Sequence, residues 1–186
     1  EVLETLDQGG IQNVLPLRGD PPRGDTEFKP TPGGFAYANE LVEYIRSGNH
    51  SFCLAGACYP EKHPDAPSSE SDLDNLKRKV DAGVDFLITN VFFDNDDFYR
   101  FRDRAVAAGI SVPIIAGIMP IRNVKGIKRF TQMCGASIPD VLLGKIEAVE
   151  DDDEAVAQIG MLHAVRQCEA LLDQGVAGLH FYTLNR

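Results

Sequence analysis

The sequence predicts a parallel α/β sheet, and three features predict it. One unit recurs, in which an amphipathic helix ends in glycine and a short β-branched run follows. The runs are nearly continuous in apolar residues, as suits strands covered on both faces. Polar, aromatic and turn-forming residues gather directly after the runs.

Taken in order, Glu1-Val2-Leu3-Glu4 opens in an acidic, helical pattern, and Ile11 to Leu17 reads as the first strand. Ala38, Leu41, Val42 and Ile45 share one face of a helix, and Ser51 to Tyr59 is the second strand. Leu73, Leu76 and Val80 mark the next helix, which Ala82-Gly83-Val84 ends before Phe86-Leu87-Ile88-Thr89. Phe98, Phe101 and Ala105 mark another, and Ala108-Gly109-Ile110 leads into Val112 to Ala116. Ile127, Phe130 and Cys134 lie on one helical face. A long last helix is expected to turn Ala155, Ile159, Leu162, Val165 and Leu172 inward. Asp151 to Glu154 load its start with negative charge, which the helix dipole favours and solvent accommodates. Gln174-Gly175-Val176 precedes the final run, Leu179 to Tyr182. The three glycines suit the left-handed position that closes a helix.

Five strands alternating with helices make a parallel sheet. A closed barrel of this kind needs eight strands and roughly 250 residues, so 186 residues are too few. A five-stranded open sheet is the alternative, though neither GxGxxG nor GxxxxGK[ST] occurs to support nucleotide binding of the usual open-sheet type.

Bulk properties narrow the partners. A net charge of −10 and a pI near 4.8 argue against nucleic acid or an anionic membrane. No apolar run approaches the ~20 residues of a bilayer span. At 44% hydrophobic and 25% charged the chain matches a single soluble domain. The opening residues do not read as a secretion signal, and the absence of an initial Met fits a piece cut from a larger protein. Cys53, Cys58, Cys134 and Cys168 form no CxxC pair, so reduced thiols in a cytoplasmic protein are expected, with no metal site. The adhesion-like tripeptides Arg18-Gly19-Asp20 and Arg23-Gly24-Asp25 carry no weight without secretion.

Chemistry in α/β folds sits at the carboxyl ends of the strands. Those ends read Leu17-Arg18-Gly19-Asp20, Cys58-Tyr59-Pro60-Glu61-Lys62-His63, Thr89-Asn90, Gly117-Ile118-Met119-Pro120 and Tyr182-Thr183-Leu184-Asn185-Arg186. Gly19 lets a ligand approach backbone closely, and the Asp20 carboxylate would stabilise positive charge developing there. Asp72, Asn75, Arg78 and Lys79 fall on one helical stripe. By spacing alone that stripe is a solvated face with an internal ion pair, or a pyrophosphate grip.

The strings LRGDPP, AGACYPEKHPDA, DLDNLKRKVDAG, LITNVFFD, AGIMPI and HFYTLNR, in that order and spacing, resemble the methylenetetrahydrofolate reductase family over essentially the whole chain. The resemblance implies a (β/α)8 TIM barrel, here an incomplete one holding about five parallel strands, numbers 4 to 8, with flanking helices. One partial FAD-binding domain would span residues 1–186. It implies FAD bound non-covalently, reduced by NADH or NADPH. The reduced flavin then passes hydride to 5,10-methylenetetrahydrofolate in ping-pong fashion, and the 5-methyltetrahydrofolate formed feeds methionine synthesis. A homo-oligomer is implied for the full-length protein.

By position, the resemblance makes Arg18, Gly19 and Asp20 the loop beside the flavin, with Asp20 catalytic and in contact with substrate as well. Tyr37, Ala38, Tyr59, His63 and Ala66 become further FAD contacts. Asp72, Asn75, Arg78 and Lys79 become the ribose and pyrophosphate contacts. Asn90, Phe130, Leu184 and Arg186 face the substrate, Phe130 by packing on its rings and Arg186 by pairing with the folate's glutamate tail.

Two positions depart from the family pattern: Asn90 stands where many members carry glutamine, and Gly126 where some do. The family's catalytic glutamate, and a Thr and a His that hold flavin, belong to strands with no counterpart here. The expectations are that this chain alone is inactive and that Ile11 to Leu17 is a sticky open edge. Two other readings stand beside this one. One is an inactive flavin- or folate-binding fragment. The other is an aldolase-like barrel with Lys145, in Val141 to Ile146, as its Schiff-base lysine.

Overall fold

The computed structural model describes residues 1–19, 21, 28–48 and 50–185. Among them, strands β1 (Asn13–Val14), β2 (Cys53–Cys58), β3 (Phe86–Val91), β4 (Ile114–Ile118) and β5 (Leu179–Phe181) form one sheet in sequence order. Every pairing is parallel. Helices α1 (Val2–Gln8), α2 (Ala38–Ser47), α3 (Ser69–Asp81), α4 (Asn95–Ala107), α5 (Val124–Cys134), α6 (Asp140–Glu147) and α7 (Asp153–Asp173) connect and flank the strands. Strand order that follows sequence order, with helical crossovers, is the topology of a barrel opened between two strands, here an incomplete one.

The recurring unit is built as its sequence dictates. Gly83, Gly109 and Gly175 take φ of 114°, 79° and 70° after α3, α4 and α7. The carboxylate of Asp152 caps α7 by accepting from the N–H groups of Glu154 and Ala155, so the acidic run is a helix start. The main core joins Val42, Ile45, Leu54, Leu76, Leu87, Phe92, Phe98 and Phe101. A second cluster, around Val91, Phe93, Met119, Ile121 and Ile146, lies under α5 and α6.

Three expectations are corrected. The first strand is shorter than Ile11 to Leu17: only Asn13 and Val14 pair, opposite Cys53 and Leu54. Pro16 has no N–H to continue a ladder, and Leu17 is 55% exposed. The inward face of α7 is Val156, Gly160, Ala164, Gln167 and Leu171, whereas Leu162, Val165 and Leu172 are exposed. Small residues face the sheet because the backbones come close: a β-carbon on Gly160 would lie 2.1 Å from Ile121 O. Lys145 is exposed on α6 rather than at a strand end, where an aldolase lysine would need to be.

Candidate functional site

A cleft of about 600 Å³ opens at the carboxyl ends of β1 and β2, a volume usual for a cofactor or substrate site. Arg18, Tyr37, Ala38, Tyr59, His63, Ala66, Asp72, Asn75, Arg78 and Lys79 all line it. Of the described residues expected to hold a cofactor, only Gly19 is not in the lining; its φ of 83° turns the chain directly after Arg18. Asp20 and Arg186 lie outside the described residues.

Local structure aims these groups. Glu40 accepts from the N–H groups of Ala36 and Tyr37 at 2.7 and 3.2 Å, which starts α2 at Tyr37. Ser68 caps α3 by accepting from Ser71 N–H, so the helix begins beside the β2 tip. From α3, Lys79 reaches back under the cleft and donates to Ala57 O at 2.7 Å. Burial lowers its pKa, and the nearby Asp72 carboxylate works in the opposite direction. Asn75 Oδ1 accepts from Arg78, and Asp72 accepts from His63 N–H at 2.9 Å. The stripe combines one partly buried ammonium with one exposed guanidinium, and neither makes an ion pair within it.

His63 rests edge-on against Tyr59, ring centroids 4.5 Å apart. Asp65 N–H donates to His63 Nδ1 at 3.0 Å, which puts the proton of the neutral ring on Nε2. Burial lowers the pKa of His63, with the carboxylates of Asp65 and Asp72 opposing. Arg18 bonds Asp65 at 3.1 Å and lies 4.8 Å over the Phe28 ring. Sequence reasoning missed Asp65, Phe101 and Arg104, which also line the cleft. For Phe101 and Arg104, on one face of α4, an i, i+3 aromatic–cation pair was the available signal.

The expected substrate residues stand apart from this lining. Asn90 Nδ2 donates to Cys134 O at 3.3 Å, and its Oδ1 accepts from Val91 N–H at 2.9 Å. Phe130 is partly buried on the cluster beneath α5. Leu184 is 66% exposed, with φ of 50°. Gly126 donates its N–H to the cap Asn123 at 2.6 Å, and a β-carbon there would lie 2.6 Å from Asn123 Oδ1.

An FAD group fits the residues present. The Lys79 and Arg78 cations suit a diphosphate, and the edge-on Tyr59–His63 pair offers a ring surface and an Nε2–H donor. Among the described residues no cluster of His, Cys, Asp or Glu could hold a metal ion, and no helix is long and apolar enough to cross a membrane.

The fold and cleft define a class: an α/β half-barrel with a ring-and-cation pocket at the carboxyl ends of its parallel strands. Within that class the chain belongs to the methylenetetrahydrofolate reductase family, whose model matches residues 1–186. It is 45% identical to methylenetetrahydrofolate reductase (NADH) 1 of Arabidopsis thaliana, over 98% of this chain and 33% of that protein. It is 43% identical to 5,10-methylenetetrahydrofolate reductase of Escherichia coli, over 95% of this chain and 57% of the relative. The chain thus spans about a third of its plant relative's length and just over half of its bacterial relative's. A solved structure of an uncharacterized Clostridium thermocellum protein that binds two copies of 5-methyl-5,6,7,8-tetrahydrofolic acid shares the fold. Its TM-score is 0.55 at 17% identity, covering 87% of this chain and 59% of that one.

Proposed function

We propose that this chain forms the FAD-holding part of a cytoplasmic reductase that carries hydride from NADH to 5,10-methylenetetrahydrofolate, yielding 5-methyltetrahydrofolate for methionine synthesis. The observation that carries the reading is the meeting of ten family-matched residues in one cleft on a chain that matches the family from end to end. The donor is taken as NADH because plant relatives carry NADH in their names. Folate as the second ligand is supported by the bacterial relative's name and by the folate-binding structural neighbour.

When bound, FAD supplies the two-electron relay between donor and folate. Lys79 and Arg78 hold the diphosphate by charge, with Asn75 steadying Arg78, and Asp72 and Asn75 contact the adjoining ribose and pyrophosphate. Tyr59 and His63 form the wall against the ring, with neutral His63 donating from Nε2. Asn90 offers its amide to whichever ring substrate occupies the site, Phe130 and Leu184 pack on that ring, and Asp20 stabilises the cationic carbon of the substrate. Arg186 pairs with the carboxylates of the folate tail. The whole protein acts as a homo-oligomer.

The test is titration of the purified chain with FAD, read by flavin absorbance and fluorescence. Saturable 1:1 FAD binding supports the reading. A chain that is folded by circular dichroism yet takes up no FAD overturns it.

A further inference from the structure

The strand-end surface contains a polar knot that the cleft does not use. Between β3 and β4 the register shifts: Ile88 faces Ile115 and Val91 faces Gly117, so Thr89 and Asn90 together oppose Ala116. Two residues against one is a bulge, a device that re-aims side chains near sites. Two side chains hold it. Thr89 Oγ1 accepts from Gly117 N–H at 2.8 Å, and Thr89 O accepts from the Tyr182 hydroxyl at 2.9 Å.

Tyr182 spans β4 to make that bond. Its own N–H donates to Ile118 O at 2.9 Å, beside β4, and its hydroxyl ends on β3. The ring crosses at Gly117, where a β-carbon would lie 2.7 Å from Tyr182 Cε2 and 2.2 Å from Thr89 O. Burial pushes the phenol up to about 12, with Cys58, Tyr59 and Cys134 adding to the rise. The hydroxyl therefore stays a donor at neutral pH, and its electrostatic neighbours bridge the flavin side (Tyr59) and the Asn90 side (Cys134). Asn90 follows Thr89 directly. Two and three residues beyond Tyr182, Leu184 and Asn185 hold φ of 50° and 59°. Asn tolerates left-handed backbone, whereas a leucine there is uncommon.

We propose that Tyr182 is a positioning residue for the second ligand: through Thr89 O its hydroxyl clamps the Thr89–Asn90 bulge to the tip of β5, which sets Asn90 and Leu184 against the ring of a reduced folate. This rests on the proposed function for the identity of the ligand; the clamp rests on the geometry.

The experiment compares the wild-type chain with Tyr182→Phe, which keeps the ring and removes only the hydroxyl. FAD affinity is read by fluorescence, 5-methyltetrahydrofolate affinity by calorimetry on FAD-loaded protein, stability by urea unfolding, and amide exchange at Gly117 and Val91 by NMR. The expected result is a roughly 5–10-fold loss of folate affinity, the size of one well-placed hydrogen bond. FAD affinity stays within about twofold, and exchange quickens at Gly117 and Val91. Folate and FAD affinities that fall together in step with the urea midpoint overturn the positioning role in favour of a structural one. Unchanged folate affinity overturns the clamp. Wild-type chain that takes up FAD but no 5-methyltetrahydrofolate sinks the folate reading and this role with it, a failure visible without the variant.

Discussion

Around β2 and α3 the strand-end surface is an open cleft in which the cations Arg18, Arg78 and Lys79 each make one or two hydrogen bonds and keep N–H groups to spare. Around β3, β4 and β5 it is a closed knot: Thr89 bonds both Gly117 and Tyr182, and Asn90 bonds Val91 and Cys134. The contact with α7 is equally tight: Gln167 donates to Phe92 O at 2.9 Å, and His163 bonds Phe93 O at 3.0 Å. A cleft with unspent donors can accept a large anionic cofactor with little rearrangement, whereas a knot fixes a few atoms in place. The difference teaches that the two halves are sensitive to different injuries. Substitutions that crowd the backbone of the knot should damage the fold, and substitutions in the cleft should damage cofactor binding.

The largest effect expected is in the knot. Gly117→Ala drives a β-carbon against Thr89 O at 2.2 Å, a backbone atom that cannot swing aside. Overpacking of this kind costs about 3 kcal/mol. Urea unfolding should show it, and a loss below about 0.5 kcal/mol would mean the bulge is soft and the contrast between the halves is drawn too sharply. Next in size is Lys79→Met in the cleft, which keeps most of the unbranched stem and removes the charge. On the proposed reading FAD affinity should fall about 10–100-fold, the range for a lost charge-assisted bond. The urea midpoint should hold or rise, since burial already disfavours this ammonium. If stability collapses and FAD binding does not change, Lys79 belongs to the fold through Ala57 O and not to the cofactor.

Legibility in the sequence follows the same division. The α3 stripe and the glycine-ended helices were readable because local rules produce them: periodicity for Leu73, Leu76 and Val80, and left-handed backbone for Gly83. Spacing alone left the stripe between a solvated face and a phosphate grip, and the motif strings were needed to favour the grip. The knot was not readable. Its bonds join residues 28 and 93 positions apart, and nothing local in Thr89 or Gly117 announces a bulge. The inward face of α7 was misread for a related reason. Periodicity favours the large apolar residues for burial, but the helix approaches Ile121 O so closely that only Gly160 fits, and it spends Gln167 and His163 on the carbonyls of Phe92 and Phe93. Helix α6 went unassigned because eight residues, VLLGKI among them, are too few for periodicity to separate helix from strand.

The smallest expected effect sharpens the comparison through one histidine in each half. Burial lowers the pKa of both His63, in the cleft, and His163, on the knot. For His163 the Phe93 carbonyl and Asp94 oppose the burial, while Arg166 and Lys145 add to it. A histidine whose folded value lies below 6.5 binds fewer protons folded than unfolded across the interval between the two. Its contribution is therefore complete above pH 6.5 and is lost as the pH falls from there toward the folded value. His163→Gln keeps a donor for Phe93 O and removes the titration, so stability of the variant should fall less than wild type between pH 7 and 5. The imidazole signals followed by NMR should then separate the halves. Saturating FAD should move the titration of His63, which lines the cleft, and leave that of His163 in place. Equal shifts at both rings would mean that the knot responds to the cofactor, and that cleft and knot are one coupled site.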